Sequence, residues 1–272
     1  MFKNIFIIGF FTYCIFLTSL IAKDTILVSV PPQQYFVEQI AKDNFNIKSM
    51  MDENSILPTY KPTSQQYVWA EDAIAYFRIG MYDENEWIKS IKVTNKKIKV
   101  FDTTINVKKK AINPYIWLDP MLVRIQAKNI YNALVKLDSN NQAFYKKNYL
   151  SFVNHLSRID YQIRTILKKR RRHSFIIYEP IWYYYAKRYN IKQIELEADP
   201  YSLDDKNILY IINQLNRLAS NIMFIPNYYV PKEFFKRVEP KTKVILVPFS
   251  HLAYNWEENI MNITKILTYQ SK

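Results

Sequence analysis

Hydrophobic positions along the chain fall into short β-rich runs separated by helical patterns. In the first half of the chain these runs lie at 25–30, 45–51, 73–79 and 97–102. In the second half they lie at 174–179, 193–197, 222–227 and 243–248. Strands that alternate with helices are typical of parallel α/β layers, and the even division indicates two lobes. The predicted fold class is α/β: two lobes, each with a roughly four-stranded, mainly parallel sheet flanked by helices.

The middle of the chain carries a long amphipathic pattern. Apolar side chains from Tyr145 to Ile166 recur at alternating spacings of four and three residues, which places them on one helix face. With Asp138 as a candidate cap, we predict a long rigid linker helix of roughly 45 Å. A coiled-coil dimer is the alternative, but tyrosines in the seam favour packing across both lobes of a monomer. The predicted organisation is a signal peptide at 1–22, an N-terminal lobe at 23–137, the linker helix at 138–168 and a C-terminal lobe at 169–272.

The first 22 residues predict export. Lys3 precedes an apolar run, and Ala22 precedes a charged pair, which is the arrangement of a cleaved secretory signal peptide. An uncleaved membrane anchor is the alternative, because the run is nearly long enough to span a bilayer. The single cysteine, Cys14, lies inside this run. A chain cut before Lys23 would therefore have no disulfide and no thiol chemistry, and we expect it in the periplasm.

Composition argues against nucleic-acid binding and against catalysis. The chain has 38 Lys and Arg against 24 Asp and Glu, a net charge of +14, but only 108–110 and 168–173 concentrate positive charge, and we interpret both as solvated loops. Glycine occurs only at positions 9 and 80, so no glycine-rich phosphate loop can form. Neither a His-Glu-x-x-His pair nor a nucleophile elbow is present. We place His155 on a solvated helix face and His173 in a loop, and we expect no enzyme.

The segment "NPYIWLDP" at 113–120 predicts a stiff turn. Proline fixes its own φ and pushes the preceding residue out of the helical region. Asp119 is a natural N-cap, and Pro120 fits the first position of a helix. Such a turn holds Tyr115 in a fixed direction.

This turn is one of five motifs that occur in a fixed order after residue 22. They are "VSVPPQQYFVEQIAKD", "PTYKPTSQQ", "AYFRIGMYDENEW", "NPYIWLDP" and "YEPIWYYYAKRYNIKQIELE". Together they resemble the extracytoplasmic solute-binding proteins of zinc and manganese ABC importers. The resemblance implies a ligand cleft between the lobes, with an inner-membrane permease and a cytoplasmic ATPase as partners.

The family holds its metal through four ligands, two from each lobe. The resemblance places these positions at Pro58, Tyr115, Glu179 and Val247. Only Glu179 keeps a usual donor, since the phenol of Tyr has an ordinary pKa near 10 and the other two residues have no donor atom. His251 is a candidate substitute ligand, and Asp199 or Glu197 could contribute. Because a closed zinc site needs about four donors, we expect weak or absent binding of zinc or manganese.

Aromatic side chains near these turns suit an organic or chelated ligand as well as a bare ion. They are Tyr60, Tyr115, Trp117, Tyr178 and Trp182. Packing of the lobe interface is the alternative role for them. Two functions therefore stay open: a transport receptor for a metal or metal complex, and a non-transport derivative, such as an adhesion or assembly protein, that has lost metal binding.

Overall fold

The computed structural model describes most of the chain after residue 22. The described ranges are 23–57, 60–110, 113–169, 173–178, 180–197, 199, 202–218, 220–226 and 231–268. Within these ranges, no helix is both long and apolar enough to cross a membrane. The predicted signal peptide lies outside the described residues.

The N-terminal lobe is built on a four-stranded parallel sheet in the order β2-β1-β3-β4. Its strands are β1 (Thr25–Val28), β2 (Asn46–Ser49), β3 (Ala75–Arg78) and β4 (Lys99–Asp102). Its first helices are α1 (Pro31–Ala41), α2 (Ser64–Glu71) and α3 (Glu84–Thr94). Two prolines open α1, and a capping box of Thr63 and Gln66 opens α2, so local sequence fixes both helix starts.

The C-terminal lobe repeats this topology, with the order β6-β5-β7-β8 and all strands parallel. Its strands are β5 (Ser174–Ile177), β6 (Lys192–Glu195), β7 (Ile222–Pro226) and β8 (Ile245–Phe249). Its helices are α6 (Tyr183–Tyr189), α7 (Asp205–Arg217), α8 (Lys232–Val238) and α9 (Trp256–Ile266). The predicted fold of two α/β lobes with parallel four-stranded sheets is confirmed.

Two consecutive helices join the lobes. They are α4 (Pro120–Leu137) and α5 (Gln142–Leu167), separated by a short 3-10 turn at Ser139–Asn141. The long linker helix is confirmed, although it starts at Gln142 because Asp138 bonds the Tyr145 hydroxyl and the Asn141 amide instead of capping the helix. The 26 residues of α5 extend about 39 Å. The division into domains at 137 and 168 stays a prediction.

The seam of α5 packs inside the molecule. Tyr145, Phe152, Leu156, Ile159 and Ile163 are buried, and the helix contacts α1 and α4 of the N-terminal lobe and α9 of the C-terminal lobe. These contacts within one chain are what the two-lobe interpretation of the seam requires.

Buried apolar residues form two separate clusters. The first, which we name the shared core, joins the N-terminal sheet, α4, α5, α9 and one face of the C-terminal sheet, including Phe175, Ile177 and Phe224. The second, the outer core, lies on the opposite face of the C-terminal sheet under α7 and α8, and includes Ile176 and Met223. Neighbouring residues of one strand enter different cores because their side chains alternate between the two faces.

Candidate ligand cleft

Loops at the carboxyl ends of the strands meet between the two lobes. The Trp117 indole donates to the His251 carbonyl at 2.7 Å, and the Asn113 amide donates to the Pro180 carbonyl at 2.8 Å. Ser250 donates through its hydroxyl to the Glu53 carbonyl at 3.1 Å. In open parallel sheets, ligands bind outside the carboxyl ends of the strands. This junction is therefore the candidate site.

The predicted turn holds Tyr115 at the junction. Ile116–Leu118 form a 3-10 turn, and the Asp119 carboxylate accepts from the Met121 N–H at 2.8 Å as the N-cap of α4. The Asn113 side chain accepts from the Tyr115 N–H at 3.1 Å. Tyr115 is nearly buried, and its ring meets the Trp117 ring edge-on with the centroids 5.4 Å apart. Asn113 thus holds the backbone of Tyr115, and Trp117 packs against its ring.

His251 lies directly against Tyr115. The two ring centroids are 5.2 Å apart and nearly perpendicular, and Phe249 flanks the imidazole with its centroid at 6.4 Å. His251 has only 1% of its surface exposed. Burial lowers the pKa of its imidazole from 6.5 to about 3, because a charged ring is disfavoured away from water. His251 is therefore neutral at physiological pH, which is the form that can ligate a metal.

The other predicted ligand positions do not complete a donor set. Val247 is buried in β8 as part of the shared core, and its side chain has no donor atom. Pro58 and Glu179 lie outside the described residues. Glu197 is placed against α7, where Gln214 donates to it at 3.3 Å. The Asp199 carbonyl accepts from Asn207 of the same helix at 2.6 Å.

A three-residue group of His, Cys, Asp and Glu side chains suited to a metal does not occur among the described residues. At the junction these residues bring together two donors, the His251 imidazole and the Tyr115 phenol. A closed zinc site requires about four. The described donors alone are thus too few to hold a zinc ion.

The predicted aromatic wall consists mainly of packed rings. Trp117 and Trp182 are fully buried, and Trp182 packs edge-on against Tyr185 and Phe249. Trp117 therefore packs at the lobe interface, where its indole bonds the His251 carbonyl, and Trp182 packs within the C-terminal lobe. Tyr60 and Tyr178 keep part of their surface exposed.

The Tyr60 hydroxyl donates to the Gln66 side chain at 2.7 Å, and its ring meets Trp87 edge-on. These contacts fix Tyr60 at the start of α2.

Ionic contacts that the sequence pattern did not reveal tie the lobes together. Arg188 of α6 pairs with the buried carboxylate of Asp119. Burial raises the pKa of Asp119 and the guanidinium opposes that shift. The Tyr254 hydroxyl bonds to Glu38 of α1. Such contacts join residues of the two lobes.

His155, predicted on a solvated helix face, lies on a partly exposed face of α5. Its side chain is about one-third exposed, and its Nε2 lies 2.6 Å from the Glu257 carboxylate. The apolar seam alone did not indicate that α9 covers this part of α5. His173 is exposed at the start of β5, as expected for a loop residue.

The turn that follows β3 is organised by a buried carboxylate that sequence reasoning missed. Glu84 accepts from the N–H groups of Ile79, Gly80 and Met81 at 2.7, 2.5 and 2.8 Å. Gly80 has a φ of +79°, and the Lys109 ammonium occupies the space that a Cβ at this position would need. The positive φ is what favours glycine here, since the Lys109 side chain is flexible and could move away from a Cβ. Burial raises the pKa of Glu84, and the backbone donors oppose that shift.

Several known proteins are similar to this chain. The Bacillus subtilis high-affinity zinc uptake system protein ZnuA is 25% identical over 186 residues, which cover 61% of this chain and 58% of the Bacillus protein. A putative metal-binding protein of Chlamydia trachomatis is 23% identical over 197 residues, which cover 68% of this chain and 70% of that protein. The aligned part thus spans less than two thirds of the Bacillus relative.

Solved structures share the fold over nearly the whole length. A crystal structure of ZnuA aligns with a TM-score of 0.81 and 27% identity, covering 90% of this chain and 98% of that one. The Zn(II)-bound ZnuA-like domain of Streptococcus pneumoniae AdcA aligns with a TM-score of 0.76 and 15% identity, covering 91% and 100%. At that identity the second alignment is evidence of the fold alone.

The family model described as "Zinc-uptake complex component A periplasmic" matches residues 26–255. That range includes both sheets and every loop that meets at the lobe junction. This chain therefore belongs to the ZnuA family of periplasmic zinc-uptake components.

Proposed function

We propose that this protein is the periplasmic solute-binding component of an ABC importer for zinc, manganese or a complex of such a metal, with a diverged ligand site. It acts as a binding protein and not as an enzyme. Its partners are an inner-membrane permease and its ATPase. Residues 1–22 direct export and are removed, so the mature chain begins at or near Lys23.

The observation that carries this proposal is the contact between Tyr115 and His251. Tyr115 occupies a position where the family places a ligand, and the buried neutral imidazole of His251 lies against its ring, 5.2 Å between centroids. The junction therefore contains a histidine, but this histidine lies at none of the four ligand positions that the family uses. Glu179, at another family ligand position, is the third candidate donor.

The donor types at this contact also determine the affinity that we expect for zinc and manganese. Neutral imidazole is a good metal ligand, but a neutral phenol is a poor one, and Pro58 and Val247 supply none. The metal is also expected to require a local rearrangement, because His251 is buried. We expect zinc and manganese to bind no tighter than micromolar in competition with a calibrated chelator.

The test compares the parent with Glu179→Gln and His251→Ala in that titration. Any weak binding should depend on Glu179, and a further loss in His251→Ala would assign the imidazole as a ligand. Tyr115→Phe tests the phenol as a ligand without disturbing packing, since it keeps the ring and removes only the hydroxyl. Melting temperatures of all variants separate lost ligands from lost folding.

Nanomolar, one-to-one binding by the parent would refute the diverged site. Binding that survives both substitutions would place the metal at other residues. Elemental analysis with native mass spectrometry on protein from its own periplasm would identify the bound species.

A non-transport derivative of the same fold is the second candidate function. It is favoured by the apolar packing of Val247 and the burial of Trp117 and Trp182, which give the junction the character of a core. Protein purified from its periplasm without metal or organic ligand, and with no binding in the titration, would favour this alternative.

A further inference from the structure

A polar cavity lies on the side of the molecule where α1 ends against α5. Its volume is about 240 Å³, and its wall consists of Gln39, Lys42, Asn148, Ser151, Phe152, His155 and Arg158. The five residues from α5 are spaced by three, one, three and three, so they share one helix face. The cavity thus belongs to the N-terminal lobe and the linker helix, and it is separate from the lobe junction.

The chemistry of this wall favours an anion. Among the described residues, the wall contains two fixed cations, Lys42 and Arg158, and no Asp or Glu side chain. Gln39, Asn148 and Ser151 add amide and hydroxyl groups that can donate hydrogen bonds. Phe152, which is buried, closes the apolar side. Such a set matches the tetrahedral oxygens of a phosphate or sulfate group.

His155 orients the arginine of this wall. The Nε2 atom of His155 lies 2.6 Å from the Glu257 carboxylate, which can only accept when ionised, so Nε2 carries the proton. In the neutral ring, Nδ1 is then an acceptor, and it lies 3.3 Å from the Arg158 Nη2 atom. One N–H of the guanidinium is held by the imidazole, and its other donors are available to a ligand. The Glu257 charge also faces the Tyr35 hydroxyl and does not line the cavity.

Lys42 is held in a backbone conformation that favours glycine. Its φ is +49° with ψ −131°, and its N–H donates to the Glu38 carbonyl at the end of α1. A lysine in this region costs free energy, which surrounding contacts must offset, and such residues are enriched at functional sites. Lys42 thus occupies a backbone conformation in which a glycine would cost less free energy.

We propose that this cavity binds a single tetrahedral oxyanion group of the phosphate or sulfate type. Arg158 holds two of its oxygens through the guanidinium, Lys42 supplies the second positive charge, and Ser151 and Asn148 complete the hydrogen bonds. The group could belong to a free anion or to the headgroup of an anionic phospholipid. This proposal does not depend on metal binding at the lobe junction.

The test follows backbone amide NMR signals of the full mature chain during titration with sodium phosphate and sodium sulfate, at ionic strength held constant with sodium chloride. We expect saturable shifts at Lys42, Ser151 and Arg158 with millimolar affinity or better. Arg158→Ala should weaken binding about tenfold. Lys146→Ala and Lys147→Ala, which remove exposed charges of the same helix outside the cavity, should leave the affinity unchanged.

Equal shifts with chloride alone, or full affinity in both Arg158→Ala and Lys42→Ala, would overturn the proposal. Because Lys42 is exposed, Lys42→Ala reports on binding even if Arg158→Ala folds poorly. Sedimentation with phosphatidylcholine vesicles, with and without phosphatidylglycerol, assigns the source. Binding that needs phosphatidylglycerol and is lost in Arg158→Ala identifies the lipid headgroup, and saturable phosphate binding without vesicle binding identifies a free anion.

Discussion

The two faces of the C-terminal sheet differ in what covers them. The face with Phe175 and Phe224 belongs to the shared core, which continues through the lobe interface into the N-terminal sheet. The opposite face belongs to the outer core, which α7 and α8 cover alone. A residue in the shared core therefore supports both lobes at once. A residue in the outer core supports only the local layer.

Two sheets with the same strand order can therefore differ in the stability of the helices that cover them. Both sheets have the order 2-1-3-4 by position in their lobe, but, among the described residues, one face of the C-terminal sheet lies outside the continuous core. Regions with fewer buried apolar contacts open at lower free energy than the global core. We expect α7 and α8 to open locally while α5 unfolds only with the whole molecule.

The largest effect is expected from Leu156→Asp. Leu156 is fully buried in the seam of α5, and an unpaired carboxylate there should reduce the free energy of unfolding by about 4 kcal/mol. Urea denaturation measures this loss. Leu150→Asp, at a 49% exposed position of the same helix, is the matched control and should change stability by less than about 0.5 kcal/mol. Similar stabilities for both variants would show that the seam is not part of a shared core.

A smaller and local effect is expected from Ile211→Ala in the outer core. Ile211 is fully buried on the inner face of α7, and losing its side chain should lower the opening free energy of α7 amides by about 2 kcal/mol. Hydrogen exchange should detect this change in α7 and α8 and leave α5 protection unchanged. The exposed neighbour Leu209 provides the control, Leu209→Ala. Equal loss of protection in α5 would mean that the two cores unfold as one.

An effect of similar size that appears only at low pH is expected from His251, at the edge of the shared core. Its pKa is about 3 in the folded protein, against an ordinary value of 6.5. Between these values the unfolded state binds more protons, so stability present above pH 6.5 is lost as the pH falls. From pH 7 to pH 5 the parent should lose about 2 kcal/mol more than His251→Gln. Urea denaturation at both pH values gives the difference, and parallel losses would place the imidazole in contact with water.

Much of the fold could be predicted because its signals are local. Alternation of β-rich and helical runs identified two lobes, and the seam from Tyr145 to Ile166 identified the linker helix. Capping chemistry located the start of α4, where Asp119 accepts backbone N–H groups as expected. The start of α5 was less predictable, because the Asp138 carboxylate accepts hydrogen bonds from Asn141 and Tyr145 instead of capping the helix.

The candidate site was less predictable because its contacts join distant parts of the chain. The motif placed Tyr115 at a ligand position, but its neighbour His251 lies 136 residues later in the sequence. The indole of Trp117 also finds its hydrogen-bond partner, the His251 carbonyl, only because the two lobes pack together. The same holds for His155, whose partner Glu257 comes from the last helix.

Sequence by itself determined the order of strands and helices and the stiff turn at Tyr115. Hydrophobic periodicity and the backbone restriction by proline act over a few residues, so both can be recognised in the amino-acid sequence. Tertiary structure alone decided that His251 is buried and neutral beside Tyr115, and that Lys42 and Arg158 face one cavity without a carboxylate in its wall among the described residues. Burial and electrostatics depend on which surfaces meet, and the packing of the lobes and the linker helix sets that.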